Sequence, residues 1–321
     1  MRENEASIRG RVVRDLIAHT TNDLLIGKKI KNGELRKQIG TAESPWKCPE
    51  CFTMQTIEME HFTMELLESK ENANRDKIIL QLHGGGYVGA MRNAYRMFAG
   101  LYNEVSHGMS VLTPDYRVAP EHPYPAALED TIAAYHWLLE QGYPAEKIVV
   151  AGDSAGGGLA LALCLWLKNH KEPLPSGVIA MSPWTDLTIS GESVETNFEK
   201  DPLFGKTRDS MLYNKDYLGD NDPTNEYISP LFGDYEGFPP LLIQVGSYEM
   251  LLSDSTRVAK KAKEAGGKVK LSIYEGMFHV FQMAMLLMPE SKKAWAEIKR
   301  FLHYLDTEEN EMQNISKEEK A

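Results

Sequence analysis

Short apolar runs alternate along this chain with longer segments of helical periodicity. The apolar runs predict strands, which lie near Met54–Glu58, Phe62–Leu67, Ile78–Leu82, Ser110–Thr113, Ile148–Ala151, Val178–Met181, Leu241–Val245 and Val269–Tyr274. The periodic segments predict helices near Tyr95–Ser106, Ala126–Gln141, Ser154–Asn169, Ser253–Ala265 and Ser291–Leu305. This alternation predicts an α/β fold whose mainly parallel, twisted sheet of about eight strands carries helices on both faces.

The most informative segment joins a predicted strand to a predicted helix. Residues 149–158 read Val-Val-Ala-Gly-Asp-Ser-Ala-Gly-Gly-Gly, an apolar run followed by Gly-x-Ser-x-Gly. Gly152 and Gly156 carry no Cβ to obstruct a tight turn that exposes the serine hydroxyl between them. The start of the helix favours negative charge beside that hydroxyl. The pattern therefore predicts Ser154 as a nucleophile.

A glycine run follows another strand upstream, in Leu-Gln-Leu-His-Gly-Gly-Gly-Tyr at 80–87. Acyl transfer creates an oxyanion, which proteins usually stabilise with two or three convergent backbone N–H groups. We predict that Gly85 and Gly86 supply two of them and that Ala155 supplies the third. His83 precedes the glycines at a strand end, and we interpret it as a structural residue of the loop.

A base and an orienting acid should follow the serine in the order typical of α/β hydrolases. His279 comes after the last predicted strand and is the predicted base. Two carboxylates are candidates for the acid. Glu249 lies just past the strand 241–245, whereas Asp254 or Ser253 has a sufficient explanation as the N-cap of the next helix. We prefer Glu249, but only geometry decides which carboxylate reaches the imidazole Nδ1.

Three motifs resemble those of a known family: His-Gly-Gly-Gly at 83–86, Asp-Tyr-Arg-Val-Ala-Pro-Glu-His-Pro-Tyr-Pro-Ala-Ala at 115–127, and Gly-Asp-Ser-Ala-Gly-Gly at 152–157. Together they resemble the bacterial branch of the hormone-sensitive-lipase-like esterases over about residues 45–305. The resemblance implies an α/β-hydrolase fold with a helical cap. It also implies a carboxylesterase that prefers short acyl chains. The family usually carries its acid in an Asp-Pro-Leu-x-Asp pattern, from which Glu249-Met-Leu departs.

The resemblance also implies a domain organisation. A catalytic domain would occupy residues 46–184 and 226–305, and a cap would combine an N-terminal helical segment, 1–45, with an insertion, 185–225. The insertion has its own helix signal at Thr207–Leu218. The tail, 306–321, is charged and poor in large apolar residues, which predicts disorder.

The predicted function is hydrolysis of a small-molecule ester, and several alternatives stay open. A lactonase, a small-group deacetylase or an amidase would use the same residues. A non-catalytic receptor on the same fold is a rival from another class, against which the complete set of Ser154, Glu249 and His279 argues. Tyr87 and Phe278 are candidate substrate-binding residues, and for each the alternative is ordinary packing.

Composition narrows the setting further. A formal net charge of −11 over 321 residues, without a basic stripe, argues against a nucleic-acid partner. No signal-like or membrane-spanning apolar segment stands out, so we expect a cytoplasmic protein with no membrane partner. Cys48 and Cys51 lack the second cysteine pair of a zinc site, and we expect no metal and no cofactor. A homodimer stays open.

Overall fold

The structure is a computed structural model that describes residues 6–21, 43–204 and 214–318. Within these residues, eight strands form one sheet. They are β1 (Phe52–Glu58), β2 (Thr63–Ser69), β3 (Asn74–Leu82), β4 (Met109–Asp115), β5 (Ile148–Asp153), β6 (Gly177–Met181), β7 (Leu241–Gly246) and β8 (Val269–Tyr274). Each strand predicted from the sequence is present, and most extend a few residues beyond the predicted bounds.

The strand order is β1-β2-β4-β3-β5-β6-β7-β8. β2 runs antiparallel to both β1 and β4, and every later pair is parallel. The carboxyl ends of β3 and β5 to β8 therefore share one edge of the sheet, as the register pairs Leu82 with Gly152, and Gly246 with Tyr274. The loops that leave this edge are where an open parallel sheet binds its ligand.

The helices cover both faces of this sheet. They are α1 (Ile8–Thr21), α2 (Asn93–Val105), α3 (Ala126–Glu140), α4 (Ala155–Asn169), α5 (Ser193–Thr196), α6 (Lys215–Leu218), α7 (Leu252–Glu264) and α8 (Pro289–Glu318). Consecutive side chains of a strand point to opposite faces of the sheet. Since helices cover both faces, the side chains on both sides of β3 are buried. Ile78 and Leu80 pack towards α3, α4 and α7, whereas Ile79 packs towards α2 and α8.

Helix α1 packs against the start of α8 and against the segment that follows β8. Its start is tied to α8 because the backbone N–H of Ser7 donates to Glu290 Oε1 at 2.5 Å. Val13 and Ile17 pack against a buried cluster that includes Phe278. No helix in the described ranges is both long enough and apolar enough to span a bilayer.

The structure differs from the sequence-based expectations at the tail. Helix α8 continues to Glu318, whereas the charged composition predicts disorder from residue 306. The tail is poor in large apolar residues, but glutamate, lysine, glutamine and methionine are good helix formers. Two predicted helical segments lie partly outside the described residues. For Thr207–Leu218 only α6 is described, and for the N-terminal segment only α1.

Candidate active site

Ser154 lies at the sharp turn between β5 and α4. Its backbone has φ 53° and ψ −121°, in the left-handed half of conformational space that a non-glycine residue rarely enters. Its N–H donates to Met181 O at 2.9 Å, and its carbonyl accepts the N–H of Trp184 at 2.9 Å. A Cβ at Gly152 would collide with the carbonyl of Gly156. Gly152 is therefore required by the close approach of the backbone in this turn, and Gly156 by the carbonyl of Leu82 at the end of β3.

The predicted nucleophile, base and acid form one hydrogen-bonded chain. His279 Nε2 lies 2.8 Å from Ser154 Oγ, and His279 Nδ1 lies 3.0 Å from Glu249 Oε2. His279 follows β8 and is 8% exposed, while Glu249 follows β7 and is completely buried. The imidazole can therefore accept a proton from the serine while the carboxylate holds its other nitrogen.

The second oxygen of Glu249 is held by donors that the sequence analysis missed. Oε1 accepts the hydroxyl of Ser182 at 2.7 Å and the backbone N–H of Gly246 at 2.5 Å. Ser182 directly follows β6. Its only signal in the sequence is its place at the end of a predicted strand, which indicates no particular chemistry.

Opposing influences act on the pKa of His279. Burial lowers the pKa, because it disfavours the imidazolium. The hydrogen bond and the charge of Glu249 raise it, with smaller contributions from Asp201 and Asp153, and the net pKa lies above the usual histidine value. A buried carboxylate that favours the imidazolium suits a group that must take a proton from the serine.

Asp254, the alternative acid, points elsewhere. Its Oδ2 accepts the backbone N–H groups of Thr185 at 2.7 Å and Asp186 at 2.9 Å. The predicted capping role is wrong: α7 has Leu251 as its N-cap, with no side-chain cap. The side chains of Asp254 and Ser253 reach across to the segment 185–193 instead of back to their own helix. Asp254 therefore anchors the start of the insertion.

Burial raises the pKa of Asp254 to about 7. The two N–H donors and Arg257 lower the pKa, and the neighbouring Asp186 raises it further. Arg257 forms the closer ion pair with Asp186, at 2.7 Å, and lies 3.8 Å from Asp254.

The loop 83–89 after β3, called the oxyanion loop for its predicted role, has backbone conformations that favour glycine. Gly85 has φ 124° and Gly86 has φ 63°. The carbonyl of Gly85 accepts the N–H of Val88 and of Gly89, which closes the loop. Ala155 is the first residue of α4, beside the serine. The N–H groups of Gly85, Gly86 and Ala155 remain the predicted oxyanion donors.

The interpretation of His83 as a structural residue agrees with its contacts. It is buried, its Nδ1 lies 2.8 Å from Gly84 O, and its ring stacks on Tyr116 at 4.0 Å between centroids. Burial lowers its pKa to about 4. The imidazole therefore stays neutral at physiological pH.

Asp153, inside the serine motif, is a buried carboxyl that the sequence analysis missed. Its Oδ1 accepts the N–H of Gly84 at 3.2 Å, so it links the serine turn to the oxyanion loop. Burial raises its pKa to about 7, although His279 and Gly84 act in the opposite direction.

The candidate substrate-binding residues are both buried. Tyr87 is 1% exposed and stacks on Tyr217 at 3.9 Å between ring centroids. Phe278 is 4% exposed and packs with Met277 and Phe281. These contacts agree with packing, and contact with a substrate stays a prediction for both residues.

The segment after β6 contacts His279 directly, and no local pattern in the sequence predicts this contact. The ring of Phe204 lies 4.8 Å from that of His279. Asp201 accepts the N–H of Phe204 with one carboxylate oxygen and that of Met250, next to Glu249, with the other. In the parts of the chain that the structure describes, no three His, Cys, Asp or Glu side chains converge as metal ligands.

Comparison with known proteins identifies the family of the chain. A family model described as the alpha/beta hydrolase fold matches residues 79–283. A solved structure of an esterase from the bacterial hormone-sensitive lipase family is 37% identical, with a TM-score of 0.77, covering 84% of this chain and 89% of that one. The chain belongs to this family of esterases. This family is the hormone-sensitive-lipase-like branch of the α/β hydrolases.

Further relatives indicate the class of reaction. An esterase of Acinetobacter venetianus is 42% identical over 241 residues, covering 74% of this chain and 78% of that protein. An acetyl-hydrolase of Streptomyces hygroscopicus is 35% identical, covering 88% and 92%. An esterase/lipase structure from an uncultured bacterium has a TM-score of 0.84 at 34% identity, covering 94% and 99%. The protein is a carboxylic ester hydrolase.

Proposed function

We propose that the protein is a serine carboxylesterase that hydrolyses small-molecule esters of short acyl groups, with Ser154, His279 and Glu249 as its triad. The observation that carries the proposal is the continuous hydrogen-bonded chain from Ser154 Oγ through His279 to Glu249, with distances of 2.8 and 3.0 Å. The buried carboxylate and the strained serine turn support the same assignment, because both are typical of this chemistry.

The reaction follows from these groups. Ser154 Oγ attacks the ester carbonyl while His279 Nε2 takes its proton, and Glu249 holds the imidazole tautomer that makes this transfer possible. The N–H groups of Gly85, Gly86 and Ala155 stabilise the oxyanion. The imidazolium then protonates the leaving alcohol, and an acyl-enzyme remains. Water attacks it with His279 as the base, which releases the acid and restores the serine.

The cap would consist of residues 1–45 and 185–225. Support comes from the two places where described parts of these segments contact the site: α1 against the Phe278 cluster, and Phe204 against His279. A cap over the active site would suit a small soluble ester better than an emulsified lipid.

Replacement of the serine tests the mechanism. We expect Ser154→Ala to lower kcat by about 10⁴- to 10⁶-fold, because the nucleophile is lost. A fluorophosphonate should label the peptide that contains Ser154 in the wild-type protein and should leave the variant unlabelled. Circular dichroism checks that the variant is folded. Near-normal turnover by a folded Ser154→Ala protein would contradict the proposal.

A series of p-nitrophenyl esters from acetyl to palmitoyl tests the substrate class. We expect kcat/KM to be highest between acetyl and octanoyl. Deacetylation is the second candidate, since one relative is named an acetyl-hydrolase. An acetylated sugar and a lactone measured beside the ester series distinguish these activities. Faster hydrolysis of emulsified long-chain lipid than of soluble butyrate would refute the short-chain preference.

A further inference from the structure

Ser182 has a strained backbone at the end of β6. Its φ is 47°, which costs free energy for any residue with a side chain. Its N–H donates to Gln244 O of the neighbouring β7 at 2.7 Å, so the sheet holds the residue in this conformation. The side chain is completely buried. Strain of this kind persists where the surrounding structure gains from the placement of the side chain.

The hydroxyl of Ser182 lies between the predicted acid and the predicted base. It donates to Glu249 Oε1 at 2.7 Å and accepts the backbone N–H of Val280, the residue after His279, at 3.1 Å. A hydroxyl can donate one hydrogen bond and accept another at the same time. One buried oxygen atom therefore connects the carboxylate to the backbone that carries the imidazole.

Glu249 needs such a connection because a glutamate side chain has three torsions between its backbone and its carboxylate oxygens. These torsions give the carboxylate many positions to occupy unless it is held. Ser182 and the N–H of Gly246 both bind Oε1, which leaves Oε2 to His279 Nδ1. Loss of the hydroxyl would remove one of these two restraints and leave the N–H of Val280 buried without its acceptor.

We propose that Ser182 is a positioning residue for ester hydrolysis, which holds Glu249 and His279 in the mutual orientation that proton transfer requires. The proposal rests on the proposed triad. In this assignment Ser182 contacts neither Ser154 nor the substrate. It acts through Glu249 and His279.

Ser182→Gly is the sharpest variant, because glycine adopts the positive φ without strain and only the hydroxymethyl group is lost. We expect kcat to fall about tenfold to a hundredfold with KM within about twofold, since the misplaced acid affects proton transfer rather than binding. The acidic limb of kcat/KM against pH should move to lower pH, because Glu249 then raises the pKa of His279 less.

Ser229→Ala is the matched control. Ser229 is also buried, and its hydroxyl accepts the N–H of Leu187 at 2.8 Å, away from the triad. Its loss should lower stability but leave kcat within about twofold and the pH profile unchanged. If Ser182→Gly loses no more kcat than Ser229→Ala, or keeps the wild-type pH profile, the role is only structural and the proposal is wrong.

A double-mutant cycle separates this proposal from the triad itself. If Ser182 acts through Glu249, Ser182→Gly should cost little further kcat in a Glu249→Gln background, whereas a full additional loss would overturn the proposal.

All variants are compared below their melting temperatures, with Ser182→Ala as a second deletion. Activity retained by Ser154→Ala and Glu249→Gln would refute the triad. Inactivity of those two with normal Ser182→Gly turnover would refute this inference alone.

Discussion

Glu249 and Asp254 lie five positions apart, and both carboxyl groups are buried, yet they bind different segments of the chain. Glu249 leaves the end of β7 and meets the imidazole of His279. Asp254 lies in the first turn of α7 and binds the backbone at the start of the insertion. Burial and charge alone therefore do not identify a triad acid. The groups that each carboxylate binds favour Glu249 as the acid, an assignment that stays a prediction.

The largest expected difference between Glu249 and Asp254 is the effect of their replacement on turnover. Glu249→Gln should lower kcat by about 10²- to 10⁴-fold with KM little changed, because the amide can hold the imidazole in the wrong tautomer. The melting temperature should change little, since glutamine keeps the volume. The measurement is kcat for a soluble short-chain ester, with differential scanning calorimetry. Turnover within about tenfold of wild type would assign the acid elsewhere.

The pH profile sharpens the same comparison. His279 must be neutral to act as a base, so kcat/KM rises with pH through the pKa of His279, which lies above the usual value in the wild-type protein. Removing the charge of Glu249 removes a main cause of that elevation. The acidic limb of Glu249→Gln should therefore lie at lower pH than that of the wild type. A limb that stays in place would mean that Glu249 is not coupled to the imidazole.

The sequence could predict most of the sheet and the set of three side chains that the structure brings together. Strands buried on both faces give continuous apolar runs, and parallel strands place their carboxyl ends at one edge. Ser154, Glu249 and His279 each follow such a strand. Local pattern and chain order sufficed to select Ser154 and His279, and they left Glu249 as the preferred of two candidate acids. Their catalytic roles stay predictions.

The contacts of Ser182, Asp201 and Asp254 could not be predicted, because they join segments that are distant in the sequence and no local pattern encodes them. Ser182 binds Glu249 in the loop after β7 and Val280 in the loop after β8. Asp201, in the segment after β6, binds the backbone of Met250, next to Glu249. The capping prediction for Asp254 was wrong for the same reason: a first-turn carboxylate has several backbone donors within reach. Which of them it binds is decided by the segment that packs against the helix.

The smallest effect on turnover is expected at Asp254. Asp254→Ala removes the acceptor of two buried N–H groups, which should lower the free energy of unfolding by about 1–3 kcal/mol. The triad should be left intact, with kcat within about twofold of wild type. Urea unfolding and ester kinetics on the same samples measure both quantities. A loss of kcat comparable to that of Glu249→Gln would show that the imidazole depends on Asp254.

Asp254→Asn distinguishes the charge from the acceptor, because the amide oxygen can accept the same two N–H groups. Burial raises the pKa of the folded-state carboxyl to about 7. The folded protein thus keeps a proton that the unfolded chain releases near pH 4, and the contribution of Asp254 to stability falls as pH rises between these values. Asparagine has no such dependence. The stability of Asp254→Asn relative to wild type should therefore improve from pH 5 to pH 8 in urea unfolding, and a constant difference would mean that Asp254 is ionised throughout.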